Sequence, residues 1–285
     1  MYTRGVITDE VSQDLDVVVG LMRRFHVTGA EIRTIWNTPV DKLSAGQVQR
    51  LRQRLDAEGM RVPAVATPFF KCDLGDAAQY QEHLAILQRS IDVAHGLGTP
   101  LLRVFTFWKK APLQNWDPIL EAYQEPIAMA RQSGVTLCIE NEGSCYIGTG
   151  AELGRFLRQL DAPEVRGIWD PGNTVAEPAF PDGYAHVRGL CPHVHLKDLK
   201  VQPDGRAKSA PLGDGDLDIR GQLQALLADG YSGCISLETH WRPQQLSESL
   251  MRLPGGEQFS AFGEEASTLC FQRWDEIEAS MGQKK

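Results

Sequence analysis

Several signatures are missing from this 285-residue chain. No run approaches the roughly 18 apolar residues that a membrane-crossing helix needs, and the opening MYTRGVITDEVSQD has no apolar stretch of signal length. These absences argue against a helical membrane protein and set the expectation of a cytoplasmic location. The cysteines, Cys72, Cys138, Cys145, Cys191, Cys234 and Cys270, are scattered with no C-x-x-C spacing. Reduced core thiols are therefore expected, not a disulfide framework or a thiolate metal site. There is no basic tail, and 29 Lys plus Arg face 37 Asp plus Glu, a net charge of -8. That balance argues against nucleic acid as a partner. After the first apolar run the chain reads TDEVSQD, with neither G-x-G-x-x-G nor a Walker sequence. An open, doubly wound nucleotide-binding sheet would want one there. Asp214, Asp216 and Asp218 alternate as in a calcium loop, but the glycine and glutamate spacing of an EF-hand is absent.

What is present is an alternation of short apolar runs and amphipathic segments. Strands are expected at Arg4–Thr8, Gly29–Ile35, Met60–Thr67, Pro100–Trp108, Val135–Glu140, Val165–Asp170, Cys191–Asp198 and Gly233–Glu238. Pro63 is an awkward member of the third, because proline cannot donate to a ladder. Between them lie helical patterns, among them Leu15–His26, Ser44–Gly59 with a serine cap, Asp76–Gly98, Trp116–Gly134, Gly150–Leu160, a short one at Pro181–Leu190, Asp218–Gly230 and a closing Ser260–Ser280. Eight strand–helix units without a Pro- or Ser-rich linker predict one domain over residues 1–285 with the α/β class and (β/α)8 barrel architecture, its tail 281–285 frayed.

In such a barrel the C-terminal strand ends surround one mouth, where chemistry is placed. The fifth to eighth strands deliver Glu140, Asp170, His195 and Glu238 there in turn. Adjacent strands lie about 4.8 Å apart, so these side chains can converge on one ion. Three carboxylates and an imidazole favour Mn2+ or Mg2+, with Co2+ or Fe2+ possible. Each residue also has a plainer reading: Glu140 as a loop acid helped by Asn141, Asp170 as the turn acid of D-P-G-N, His195 as a core histidine, Glu238 as a loop cap. His193, His195 and Lys197 share a strand face. His193 either orients neighbouring acids or packs. Lys197 either holds a substrate oxygen or pairs with Asp198. Arg103 shares a face with Phe105 and Phe107 and is placed to meet a carboxylate or a substrate. Trp108, Trp241, Phe69 and Phe70 follow strand ends, where they wall a sugar ring or anchor loops. The segment Ser209–Leu223, rich in Gly and Asp, is a polar lid or a connector.

The motifs IENEG, WDPGN, HVHLKD and PLGDGDLD…GYSGCISLETH resemble those of the xylose-isomerase-like TIM-barrel superfamily, in its sugar phosphate isomerase/epimerase branch. The likeness covers essentially the whole chain and includes ketose 3-epimerases, hydroxypyruvate isomerase and inosose dehydratase. It implies that Glu140, Asp170, His195 and Glu238 are the metal ligands, with one divalent ion, Mn2+ foremost. It also implies that Glu140 and Glu238 form a catalytic base and acid pair, moving a proton next to a carbonyl through an enediolate. The chain departs from the epimerases at Asn173, Tyr146 and Val201, where they carry histidine, glutamate and arginine. Glu142, Lys197 and His240 are the candidates to grip substrate instead. Endonuclease IV, a relative with three metals, needs further histidines that this chain lacks.

The first expectation is thus a divalent-metal isomerase or epimerase of a keto-sugar or polyol derivative. The alternative at the same site is a dehydratase or lyase on a keto-inositol or 3-keto-sugar, since the same carbanion can expel a β-leaving group. A third is a sugar-binding barrel, or a subunit of a larger complex, without turnover. A homo-oligomer is possible, with Phe271 and Trp274 of the last helix covering either a partner or the barrel itself.

Overall fold

Short parallel strands curl into a closed cylinder in the computed structural model, which describes residues 2–174, 182–244, 247, 250 and 254–282. The staves are β1 (Thr3–Ile7), β2 (Gly29–Glu31), β3 (Val65–Ala66), β4 (Leu101–Val104), β5 (Thr136–Glu140), β6 (Val165–Trp169), β7 (His193–Leu196) and β8 (Cys234–Leu237). Their order is β2-β1-β8-β7-β6-β5-β4-β3, and parallel bridges Gly29–Arg61 and Ile32–Val65 join the two ends. Consecutive strands are thus neighbours all the way round, the connectivity of a (β/α)8 barrel. In register, His193 lies beside Cys234 and Ile168, and His195 beside Ser236.

Outward side chains such as Val6, Leu102, Leu137, Ile139, Ile235 and Leu237 are buried in the hydrophobic core with helix residues such as Val19, Leu51, Leu87 and Phe156. The helices are α1 (Leu15–Arg24), α2 (Ala45–Asp56), α3 (Ala77–Leu97), α4 (Asp117–Ala122), α5 (Gln124–Ser133), α6 (Gly150–Leu160), α7 (Tyr184–Val187), α8 (Ile219–Ala228), α9 (Gly256–Ser260) and α10 (Gly263–Gly282). Local chemistry sets their ends. Ser44–Gln47 and Thr149–Glu152 form reciprocal capping boxes at α2 and α6. Gly98 and Gly134 take left-handed conformations that stop α3 and α5.

Several elements are shorter than the sequence reading. The third strand shrinks to two residues just beyond Pro63. The second ends at Glu31, because Trp36 and Asn37 adopt positive φ and fold Thr34–Ile35 back on Thr38–Pro39. The expected fourth helix breaks at Tyr123 and restarts with Pro126 in its first turn, where a missing N–H costs nothing. The closing helix is divided at Phe262, whose φ is +57°. Of the short helix expected from Pro181, Tyr184–Val187 forms, while Pro181 lies outside the described residues. The tail expected to fray is helical through Gly282, and its last three residues lie outside the described ones. The stretch after β7 differs most. Asp198–Val201 pairs antiparallel with Ala207–Ala210, giving a hairpin instead of a bare loop.

Phe271 and Trp274 are fully buried within this chain. Phe271 stacks on Phe25 at 5.3 Å, and Arg4 covers Trp274 at 4.8 Å. They pack on the barrel and offer nothing to a partner. No helix among the described residues is long and apolar enough to cross a membrane.

Candidate metal centre and active site

Inward-facing positions of β2 and β5–β8 stack polar side chains in tiers down the barrel. The lowest tier is Glu31, His193 and His195, all fully buried. Glu31 Oε2 lies 2.8 Å from His193 Nε2, and its Oε1 lies 3.1 Å from His195 Nε2. Burial favours the neutral acid at Glu31, but the two imidazoles outweigh it and hold the carboxyl well below its ordinary value. With Nε2 turned to Glu31, His195 presents Nδ1 upward.

Above it sit the three carboxylates from strand ends. His195 Nδ1 is 3.2 Å from Glu140, 3.9 Å from Asp170 and 3.8 Å from Glu238. One donor atom from each of Glu140, Asp170, His195 and Glu238 lies within 4.8 Å of every other, and all four residues are buried. The backbone fixes two of them reciprocally. Asn141 Nδ2 donates to the Asp170 carbonyl at 2.7 Å, and the Asp170 N–H donates to Asn141 Oδ1 at 2.9 Å. Asn141 therefore ties β5 to β6 and leaves Glu140 free to face inward. Asn173 does hold Glu140, donating to Oε1 at 3.0 Å.

Lys197 completes the tier. Its Nζ donates to Asp170 Oδ2 and Glu238 Oε2, each at 2.6 Å. It does not pair with Asp198. Gly172 makes room for its stem: a Cβ there would come within 2.5 Å of Lys197 Cγ. Asp198 instead accepts the N–H groups of Leu199, Gly213, Gly215 and Leu217. Of the alternating aspartates, Asp216 accepts from the Val201 N–H and Asp218 caps α8. These acids organise backbone.

The charge balance tests whether a cation fits. Burial pushes the Asp170 carboxyl up to about 7, with Glu238 and Glu140 adding to the rise and Lys197 opposing it. Burial acts the same way on Glu140, but His195 and Arg103 outweigh it and hold that carboxyl at about 2. Among the three buried carboxylates the unmet demand for positive charge thus falls on Asp170. A divalent cation among these oxygens would meet it. The donor set is hard, and the Glu31–His195 contact is the carboxylate–imidazole relay that aims a ligand nitrogen. The cluster is capable of chelating a divalent metal ion.

At the rim, a cavity of about 250 Å3 is lined by Arg33, Lys71, Arg103, Phe105, Glu140, Glu142, Asn173, Lys197, Glu238 and His240, with Leu199, Ala207 and Ser209 of the hairpin beside them. Of the residues expected to touch substrate, Glu142, Lys197, Arg103 and His240 line it. His193 lies buried beneath. Trp108 is not in the lining, and its ring sits 5.6 Å from Lys71 Nζ. Phe69 and Phe70 are fully buried and stack on each other. His240 faces Glu10 at 3.0 Å and Glu238 at 3.7 Å.

The sequence reading missed Glu31, Arg33, Glu10 and Lys71. Arg33 is a buried hub, 3.1 Å from Asp9, 2.8 Å from Glu10 and 3.0 Å from Glu238. The signal was there in A-E-I-R-T: two charges spaced by two in an apolar strand both point into the barrel.

With this geometry in hand, the relatives can be placed. The family described as xylose isomerase-like TIM barrel matches residues 23–255. Inosose dehydratase of Geobacillus thermodenitrificans is 23% identical over 150 residues, 46% of this chain and 49% of the relative. The chain spans about half the length of the curated relatives it matches. Among solved structures, D-psicose 3-epimerase from Clostridium cellulolyticum H10 superposes with TM-score 0.75 at 18% identity, covering 97% of this chain and 98% of the other. The probable 3-DHS dehydratase AsbF of Bacillus anthracis superposes with TM-score 0.74 at 13% identity, covering 96% and 99%. At these identities the structures establish the fold.

Proposed function

The chain belongs to the xylose isomerase-like TIM-barrel family, and from that premise we propose that it is a divalent-metal-dependent lyase, a dehydratase of a keto-inositol or 3-keto-sugar. The observation that carries the reading is the buried Glu140–Asp170–His195–Glu238 cluster with a lysine ammonium inside it. The bound ion, Mn2+ by preference among Mn2+, Mg2+ and Co2+ for this oxygen-rich set, supplies Lewis acidity toward the substrate carbonyl.

The residues divide the remaining work. Elimination needs a base for the proton on the carbon beside the carbonyl and an acid for the departing β-hydroxyl. As that C–H bond breaks, the C–O bond at the β carbon breaks, and hydroxide leaves as water with a proton from the acid. Glu140 or Glu238 serves as the base. Lys197 carries protons at hydrogen-bond distance from Glu238, so the cavity holds a proton donor beyond the two glutamates. Asp170 and Glu238 hold that proton tightly in a direct contact, and a divalent ion held by the same carboxylates would loosen the hold. An elimination can draw on Lys197 as the acid for the departing hydroxyl. The resemblance to inosose dehydratases supports the same side.

An isomerase or epimerase remains the second reading, favoured by the facing Glu140 and Glu238 and by the fold shared with D-psicose 3-epimerase. Incubating the Mn2+-loaded protein with a keto-inositol and a 3-keto-sugar in deuterated water separates the readings. Loss of one water supports the lyase. Deuterium on carbon without loss of water supports the isomerase. Neither event contradicts both and leaves a binding barrel.

A further inference from the structure

Arg103 enters the cavity with its hydrogen-bonding capacity unspent. It is 5% exposed, its Nε is buried without a hydrogen-bond partner, and its nearest carboxylates stand off at 3.5 Å (Glu140) and 4.0 Å (Glu238). The other cations of the pocket are engaged. Arg33 is shared among Asp9, Glu10 and Glu238, and Lys197 bonds Asp170 and Glu238. Lys71 is held loosely, 3.5 Å from Glu142. Lys71 and Arg103 meet at one ring: the ammonium lies 4.3 Å and the guanidinium 4.9 Å from the centroid of Phe105. Phe105 lines the same cavity. Two cations at one aromatic ring, one of them a buried guanidinium whose Nε has no hydrogen-bond partner, form a site that an anionic group satisfies better than a neutral polyol. A buried charge left without a hydrogen-bonded partner is costly, and a planar guanidinium fork is matched by a carboxylate or a phosphate.

The loose contacts of Arg103 with Glu140 and Glu238 leave its donors available to a ligand. A phosphoester is the weaker fit. Such groups are gathered by helix N-termini or glycine-rich backbone loops, whereas the lining Gly172 already donates its N–H to Asp170 at 2.8 Å.

We propose that Lys71 and Arg103 form a carboxylate-binding subsite beside Phe105, so that the keto-sugar or keto-polyol proposed above carries a carboxylate as well as its hydroxyls. The assignment rests on the metal-dependent carbonyl chemistry proposed above for the direction in which the ketone lies. Its test is separate, because it reads binding and not turnover.

Calorimetry on the Mn2+-loaded protein would compare 5-keto-D-gluconate, D-fructose and D-fructose 6-phosphate. The keto acid is expected to bind at least about 10-fold more tightly than fructose, the scale of a charge-assisted hydrogen bond. In Arg103→Met that ratio collapses toward one, and in Lys71→Met it falls part of the way. Lys71 sits nearer the surface, which provides a second reading if Arg103→Met does not fold. Equal affinity for the two ketones, no measurable binding of the keto acid, a ratio unchanged in both variants, or preference for the phosphoester would overturn the subsite. Incubating the Mn2+-loaded protein with the same ketones in deuterated water separates the claims. A preference that persists without proton exchange or water loss upholds the subsite and contradicts the lyase; turnover of neutral ketones without the preference does the reverse.

Discussion

His195 bridges two tiers of the barrel, its Nε2 3.1 Å from Glu31 and its Nδ1 3.2 Å from Glu140. Glu31 decides which nitrogen faces the three strand-end acids. Glu31→Gln keeps the shape but retains one acceptor oxygen for two imidazoles. Divalent-metal affinity is expected to fall about 10- to 100-fold, as for other outer partners of a ligand histidine. Competition titration against a fluorescent chelator checks this, and wild-type affinity in the variant would contradict it.

Lys197 is the cation for Asp170 and Glu238 when no ion is bound. Lys197→Met is expected to cost about 3–5 kcal/mol of stability in chelator, the scale for stranding one side of a buried pair. Added Mn2+ should recover much of that loss, because the ion brings charge to the same oxygens. Urea unfolding with EDTA and with Mn2+ measures both arms. A loss identical in the two conditions would show that the lysine acts independently of the metal site.

His83 gives a pH dependence with a definite sign. Its Nδ1 accepts the Phe70 N–H at 2.8 Å, which requires that nitrogen to be unprotonated. Burial, outweighing Glu82 and Asp41, lowers its pKa below 6.5. The unfolded chain therefore takes up the proton first on acidification. The stability from neutral His83 is complete above 6.5 and is lost as pH falls through the lowered folded-state value. Unfolding midpoints between about pH 7.5 and about pH 5 should decline less in His83→Gln than in the wild type.

Asp198 gathers four N–H groups, from Leu199, Gly213, Gly215 and Leu217. Asp198→Ala leaves those donors without their acceptor. Amide exchange at Gly213, Gly215 and Leu217 is expected to accelerate, while β5 and β6 keep their protection. Unchanged exchange at the glycines would mean that other contacts hold the loop.

Much of this was legible in the sequence. Period-two spacing and apolar runs marked the barrel strands, and the four convergent residues stood at the ends of consecutive strands. What escaped has physical causes. Proline shortened β3, and Pro126 restarted a helix that periodicity alone made continuous. The two strands of the hairpin after β7, Asp198–Val201 and Ala207–Ala210, are only four residues each, too short for the D-L-K-V alternation to stand out from the loop; Pro203-Asp204-Gly205, with Gly205 at φ +79°, was its turn signal. Glu31 and Arg33 were read as part of an ordinary strand because their partners, His193 and Glu238, lie far along the chain. Only barrel closure brings them together. Of the two roles open to Lys197, a substrate oxygen or Asp198, the second fails because the pleat sends the two side chains opposite ways.

The account stands on one ion held by Glu140, Asp170, His195 and Glu238. Anomalous diffraction from manganese-soaked crystals tests that most directly. The expected result is a single strong peak ligated by His195 Nδ1 and the three carboxylates, with Lys197 displaced from at least one of them. No peak there, with the Lys197 contacts to Asp170 and Glu238 intact under saturating manganese, would contradict it.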